Sequence, residues 1–381
     1  MHIGIVTSEF PPDIGGVETY AIEFAKALIS LGHEVTVFVH SRHASIDIPN
    51  IKVRPVLKFS KRLDSIILKQ YSVDAWHVMN ATHSWLTLAT DKPVVVSIHG
   101  NDFLNPYPLV GNPGLSQIEL LWRLTKILGP LDKLVGKYMT PILMRKALPF
   151  ARIILSNSRY TETVFLNKFP ACKGKTRVAQ VGVSQDFLDM PLVKKANPIP
   201  QLLTVSRLSE LRKNVDKVLD ALSRLKDTTD FNYTVIGDGE FKTQLEAKAR
   251  QLGLADKVSF IGRQSTQKVV DAMMNSDLFL LPSSTLADSH EGFGIVYLEA
   301  AACGTPSLAT RQAGAVEAIE DGVSGFFVEE PTVENIQEAL SSFLTGKIRF
   351  DQNECRAFAE RFTWNKVVGH ALPYYLAVNK P

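Results

Sequence analysis

A chain of 381 residues, 45% hydrophobic and 21% charged, exceeds what one ordinary core organises and reads as two globular α/β domains. Three widely spaced cysteines (Cys172, Cys303, Cys355) exclude a disulfide framework or a metal knuckle, and no apolar run approaches the roughly 18 residues needed to span a bilayer. The formal charge of +3 is uneven: residues 1–190 hold 21 Lys and Arg against 15 Asp and Glu, the remainder 21 against 24, so an anionic partner is expected on the first half.

Ile3 to Thr7 reads as a strand, Ser8 to Gly16 as a loop with Pro11, Pro12 and Gly15-Gly16, and Val17 to Leu31 as a helix stopped by Gly32. Val35 to Val39 is the next strand, which completes a βαβ unit. Paired glycines ahead of such a helix let a diphosphate approach the backbone, although a plain tight turn is the commoner use of Gly-Gly. Further strands are expected near Ile51–Arg54, Ala75–Met79, Val94–Ile98 and Arg152–Leu155, with helices between several of them. That alternation predicts a parallel, doubly wound sheet with ligands at the carboxyl ends of its strands. The Val94 strand runs at that end into His99-Gly100-Asn101-Asp102, where a lone histidine is more often structural than chemical.

Two stretches stand apart. Lys58 to Lys69 has four basic residues and one acid; Gln117 to Ala147 has six basic residues, two acids, Trp122, Tyr138 and many Leu, Ile and Met. Basic residues interleaved with an apolar face describe a helix lying on an anionic membrane, and equally a core-packing helix with its lysines outward. Pro130 and Pro141 are expected to break the longer stretch into pieces.

Asp189 to Pro200, with three prolines and no periodicity, reads as a linker. The pattern restarts with a strand at Gln201–Val205, Ser206-Arg207-Leu208, and a helix opened by Lys213-Asn214. Arg207 and Lys213 flank a strand-to-helix turn, the usual seat of a phosphate clamp, though either alone reads as a surface residue. Tyr233 to Gly239 is a strand entering a glycine turn that lacks the third glycine of a dinucleotide fingerprint. Val258–Ile261, followed by Gly262-Arg263, is the next strand, and Phe279 to Pro282 precedes the central loop. Then comes Glu291-Gly-Phe-Gly-Ile-Val-Tyr-Leu-Glu299, opening an apolar helix from Ile295 to Cys303 with Gly304-Thr-Pro306 behind it. Amides at such a glycine entrance favour a phosphate, and two acids beside it suit a ligand that also carries hydroxyls, such as a sugar nucleotide. The plain alternative is a capped helix with a solvated glutamate at each end.

From Ser283 to Gly325, the run E-G-F-G-I-V-Y-L-E-A-A-A-C-G-T-P, Gly314 and then G-V-S-G-F resembles the retaining glycosyltransferases of family 4. These are GT-B enzymes that include phosphatidylinositol mannosyltransferases and many polysaccharide-assembly enzymes. The resemblance implies two Rossmann-like doubly wound domains facing each other across a cleft. The expected division is an acceptor-side domain at 1–188, a hinge-forming linker at 189–200, a nucleotide-sugar domain at 201–364, and a tail helix at 365–381 packing back on the first domain. The family's P-P-x-x-G-G stretch makes Gly15 and Gly16 donor-phosphate contacts, and its H-G-x-D-like run places His99 by the donor sugar with Asp102 beside it. Gly237 lies by the donor, and Gly262 and Arg263 meet the base. The family's lysine commonly follows the arginine by five residues; here Arg212 holds that offset and Lys213 the next, and Lys213 is taken as the clamp because Asn214 follows it.

The resulting expectation is a catalytic set of His99, Arg207, Lys213 and Glu291. Glu299 would hold the ribose hydroxyls, Glu291 with the amides of Phe293 and Gly294 would hold the sugar, and Ile295 is a further donor-binding residue. The chain contains no Asp-x-Asp pair, and its cations and amides can meet the diphosphate charge, so no metal or other cofactor is expected. The expected reaction moves a sugar with retention from a UDP- or GDP-linked donor to a lipid-linked or glycan acceptor of cell-surface polysaccharide or glycolipid assembly. The expected place is cytoplasmic, in peripheral contact with the anionic inner membrane face, with no nucleic-acid partner. A soluble small-molecule acceptor and a non-catalytic sugar-nucleotide-binding subunit are the alternatives; the complete set of cations and acids disfavours the second.

Overall fold

The chain forms two α/β units, Met1–Val181 together with Trp364–Pro381, and Gly182–Thr363. This computed structural model describes residues 1–10, 15–40, 48–58, 60–106, 125–192 and 197–376, without the side chains of 125–133 and 135. Pro11, Pro12 and the 117–124 part of the basic-apolar stretch, with Trp122, lie outside the described residues.

Unit 1 runs β1 (His2–Val6), α1 (Gly16–Ser30), β2 (Glu34–His40), β3 (Lys52–Leu57), α2 (Lys61–Leu68), β4 (Ala75–Val78), β5 (Val94–Ile98), α3 (Asn101–Leu104), α4 (Thr125–Ala147), β6 (Ile153–Ser156), α5 (Arg159–Lys168) and β7 (Thr176–Val178). Its seven strands pair in the order β3-β2-β1-β4-β5-β6-β7, all parallel. Helices cover both faces of such a sheet, which is why its strands are nearly continuous apolar runs: Ile3, Ile5, Val6, Val37, Phe38, Val95, Val96 and Ile98 have no exposed surface.

Unit 2 runs β8 (Gln201–Val205), α6 (Val215–Ser223), β9 (Asn232–Ile236), α7 (Lys242–Gln251), β10 (Val258–Gly262), α8 (Thr266–Met274), β11 (Leu278–Leu281), α9 (Ile295–Ala302), β12 (Ser307–Thr310), α10 (Ala315–Ala318), β13 (Gly325–Val328), α11 (Val333–Leu344) and α12 (Gln352–Ala359). Its six parallel strands pair as β10-β9-β8-β11-β12-β13. The tail helix α13 (Trp364–Ala371) belongs to unit 1.

Each sheet reverses its winding once, between β1 and β4 in unit 1 and between β8 and β11 in unit 2. The loops beyond these strand ends diverge to opposite faces and leave a crevice, the place where doubly wound sheets bind ligands.

Two expectations need correction. The division between units falls after Val181, ahead of the linker expected at 189–200. Residues past that point pack with unit 2: Val183 N–H donates to Phe362 O at 3.0 Å, and the Asn197 amide donates to Asn275 O and to Asp277, each at 3.0 Å. Three prolines without periodicity marked an irregular segment rather than a boundary. The second correction concerns α4, which continues through both Pro130 and Pro141. Pro141 removes the bond to the Lys137 carbonyl, but Lys137 lies on the exposed side, where water can take that carbonyl. Among the described residues no helix is long and apolar enough to cross a membrane.

Candidate active site

The crevice of unit 2 gathers charge. Arg207 lies just past β8, and Glu210, Arg212 and Lys213 lie on the short turn before α6. Glu291 comes from the loop after β11. Lys213 Nζ stands 2.6 Å from Glu291 Oε2, and Arg212 Nη1 stands 3.7 Å from the same oxygen. Arg212 also pairs with Glu210 at 2.7 Å, and Glu210 reaches Arg207 at 3.5 Å. Three cations and two acids thus form one chain of contacts. Arg212 is buried, whereas the Arg207 side chain is 58% exposed, so the two guanidinia are held very differently. Burial pushes the Glu291 carboxyl up, but Lys213 and then Arg212 outweigh it and hold the pKa below the ordinary carboxylate value.

Backbone geometry fixes this arrangement. Asn214 adopts a left-handed conformation with φ of 55°, and its amide donates to Pro282 O at 2.6 Å and Ser284 Oγ at 2.8 Å. Ser284 N–H returns a bond to Arg212 O at 2.7 Å. The turn after β8 is therefore tied to the loop after β11, which brings Lys213 to Glu291. Asn214 and Glu210 are site-building residues that the sequence reading used only as flanking signs or not at all. Asn in the left-handed region directly before a helix was the available signal for the first. For Glu210, one acid among three cations was the only cue.

Gly237 explains itself by close approach. With φ of 141°, a Cβ there would sit 1.8 Å from Ser206 O, so glycine lets the loop carrying Arg207 lie directly over the end of β9. Its N–H donates to Gly262 O at 3.0 Å, which gives both glycines a place in the backbone; Arg263 follows, exposed. At the entrance of α9, Gly294 has φ of 89°, and a Cβ would strike the Tyr297 ring at 2.4 Å. No side chain caps this helix. Ile295, its first residue, is half-buried, and Phe293 is buried against Phe362 with ring centroids 6.0 Å apart. Glu299 is half-buried on the second turn of α9. Burial, then the Glu299 charge, pushes the Cys303 thiol up to about 12.

Unit 1 gathers a histidine and carboxylates, with no described cation among them. His99 follows β5, and its Nε2–H donates to Met79 O at 2.9 Å, because a carbonyl can only accept. Burial lowers the His99 pKa against the opposing pull of Asp102 and of the Met79 bond. Asp102, expected as a donor contact, is bonded within its own loop region. Its Oδ1 accepts the N–H groups of His99 and Gly100, both at 2.9 Å, and its Oδ2 accepts that of Ala81 at 2.8 Å. The carboxylate is engaged in shaping the loop that presents His99. At the start of α1, Gly15 is extended, and a Cβ on it would lie 2.6 Å from the carboxylate of Glu18, which folds back over the helix end. A Cβ on Gly16 would meet nothing within 4 Å.

Two family profiles match the chain in succession, Glycosyltransferase Family 4 over residues 14–187 and Glycosyl transferases group 1 over residues 191–362. The chain belongs to glycosyltransferase family 4. This family-4 glycosyltransferase is 26% identical to the amylovoran biosynthesis glycosyltransferase AmsK of Erwinia amylovora, over 93% of this chain and 91% of that one. It is also 26% identical to the GDP-mannose-dependent alpha-(1-6)-phosphatidylinositol monomannoside mannosyltransferase of Mycolicibacterium smegmatis, over 89% and 88% of the two chains. Its GT-B fold matches that of Anabaena HepE in complex with UDP-glucose, with a TM-score of 0.69 at 19% identity, over 97% of this chain and 99% of that one.

Proposed function

We propose that this family-4 glycosyltransferase moves a hexosyl group, with retention and without a metal, from a UDP- or GDP-linked donor to a hydroxyl of a lipid-linked or glycan acceptor. The observation that carries the reading is the Arg207–Glu210–Arg212–Lys213–Glu291 chain at the winding reversal of unit 2. Departure of a nucleoside diphosphate concentrates negative charge on its phosphates, and pre-arranged cations stabilise that charge most where water is scarce. Lys213 and Arg212 are placed for this task. Glu291, held ionised beside them, would accept sugar hydroxyl hydrogens, Glu299 the ribose hydroxyls, and the bare entrance of α9 a phosphate oxygen. The acceptor proton would pass to the leaving phosphate on the same face of the sugar, which preserves the anomeric configuration.

A membrane-borne acceptor is supported by the outer face of α4. Leu134, Tyr138, Met139 and Ile142 are each about half exposed or more, beside exposed Lys137, Arg145 and Lys146, and no acid occurs from 134 to 150. An outward helix face of this kind suits an anionic lipid surface, where each basic residue contributes about 1 kcal/mol.

A thermal-shift series with UDP, GDP and ADP and their sugars, with and without chelator, tests the donor half. A uridine or guanosine compound should raise Tm, and turnover should survive chelation; activity that returns only with added manganese or magnesium would remove the metal-free reading. Glu299→Ala should weaken donor binding and Glu291→Ala should mainly lower kcat. Anionic vesicles should pellet the wild type at low salt and release the Lys137→Glu/Arg145→Glu/Lys146→Glu variant. Wild type that ignores such vesicles makes the soluble acceptor the better reading.

A further inference from the structure

The end of the chain is built into the support of His99. The Tyr375 side chain, 1% exposed, places its hydroxyl 2.5 Å from His77 Nδ1. His77 Nε2 stands 2.8 Å from Ser97 Oγ, and that oxygen stands 3.1 Å from the Tyr20 hydroxyl. The Tyr20 ring lies edge-on to the His99 ring at 4.6 Å and 72°. Trp364, the first residue of α13, meets the same Tyr20 ring edge-on at 5.2 Å. All four linked side chains are buried in unit 1.

From this geometry we propose that the carboxyl-terminal tail positions His99, with Tyr375 as the residue that sets it. A neutral imidazole has one N–H and one lone pair, so its two partners must take opposite roles. Burial holds His77 neutral, with its pKa down at about 3. If the Tyr375 hydroxyl donates to Nδ1, then Nε2–H donates to Ser97, and the Ser97 O–H is left free to donate to Tyr20. If Tyr375 accepts instead, Ser97 must donate to Nε2 and Tyr20 must donate to Ser97. The tail hydroxyl, at one end of the row, thus decides whether Ser97 has a hydrogen to give to Tyr20. Without that hydroxyl, Nδ1 loses its partner in a place that has no exposed surface, and either tautomer becomes available to His77. Tyr20 then loses a fixed hydroxyl partner while forming one wall of the His99 ring site. Among the described residues, the other bond that holds the His99 ring is the one to Met79 O. The structural placement is independent of the reaction; its kinetic consequence rests on the function proposed above.

The test uses the full-length protein with ring-labelled histidine, read by tautomer-sensitive nitrogen NMR. Tyr375→Phe keeps the ring and removes the hydroxyl. Both His77 and His99 ring signals should move, while Tyr374→Phe, a half-buried neighbour lying over Arg177, should move neither. Ser97→Ala breaks the same row from its other side and should give the same His99 shift, with no further shift when combined with Tyr375→Phe. It also serves if Tyr375→Phe does not fold. With UDP-glucose and GDP-mannose as donor probes, Tyr375→Phe should lower kcat about tenfold at unchanged donor KM. His99 signals that stay in place while His77 moves would end the row at Tyr20 and overturn the proposal. Absence of turnover with both donors in the wild type would count against the proposed reaction alone, since the NMR comparison stands without it.

Discussion

The two winding reversals share a topology and differ in electrostatics. Unit 2 carries the acidic excess of the chain, yet its crevice holds Arg207, Arg212 and Lys213. Unit 1 carries the basic excess, yet the described groups at its strand ends are buried histidine, serine and asparagine around the Asp102 carboxylate: Ser8 Oγ is 2.9 Å from His83 Nε2, and the Asn80 amide donates to the same oxygen at 2.9 Å. Burial holds the His83 pKa down at about 4. Net charge therefore says little about where charge acts. The sheet fixes where the loops emerge, and a handful of loop residues decide what each crevice can stabilise.

The sharpest way to break this contrast is Lys213→Ala. Removing a pre-arranged cation should cut turnover by about a hundredfold or more. It also leaves the Glu291 carboxylate with weaker compensation, at a stability cost on the order of 2–3 kcal/mol, read as a lower Tm. Arg207→Ala, at an exposed guanidinium, should lower turnover by only about tenfold with Tm unchanged. Equal losses from both substitutions would contradict the division of roles.

Acid should separate the units next. Among the described residues every histidine with a lowered pKa, His33, His77, His83, His99 and His370, lies in unit 1. A histidine depressed in the folded state contributes stability above its ordinary value of 6.5 and loses it as pH falls toward the folded value. For His77 that window runs from 6.5 to about 3, and the loss reaches about 2 kcal/mol by pH 5. Glu291 is also depressed, so its contribution persists until pH falls below 4.5. Hydrogen exchange at pH 7 and pH 5 should show unit 1 opening first, and His77→Gln should flatten that difference. Unit 2 opening first would overturn the assignment.

The smallest effect compares two neighbouring glycines. Gly15→Ala must displace the Glu18 carboxylate, the far end of a flexible side chain, and puts a poorer cap at the helix start, so Tm should fall only slightly. Gly16→Ala meets nothing and replaces a poor helix former at the start of α1, so Tm should hold or rise by the equivalent of about 0.5–1 kcal/mol. If Gly16 meets a donor phosphate, the same variant should still bind nucleotide more weakly by titration calorimetry. Unchanged affinity would limit that glycine to an ordinary turn.

What could be read beforehand was local. Arg207, Lys213, Glu291 and Glu299 stand in short motifs next to strand ends, and β8, β5 and α9 announce themselves by apolar runs between glycines and prolines. The three- and four-residue strands β7, β12 and β13 gave too little pattern to be read. The persistence of α4 through two prolines depends on which side faces water, a tertiary property. For Asp102 the sequence shows only an acid near His99; the fold adds that three backbone N–H groups donate to its oxygens. Glu210 needed the loop after β11 in place, since its significance lies in what Arg212 does with Glu291. His77 and Tyr375 are 298 residues apart, and no pattern in either segment points to the other.

That last pairing has a consequence for synthesis. Unit 1 is discontinuous in the chain: the ribosome delivers Met1–Val181, then all of Gly182–Thr363, and only afterwards the segment that carries Tyr375. At ordinary elongation rates the first sheet waits roughly tens of seconds with Nδ1 of His77 unanswered and the Tyr20 side of α1 uncovered by Trp364. Helix α13, made only after all of unit 2, is thus the one that finishes the first domain to form. A nascent chain stalled anywhere before α13 should hold unit 1 in an incompletely closed, chaperone-accessible state, however well unit 2 has folded.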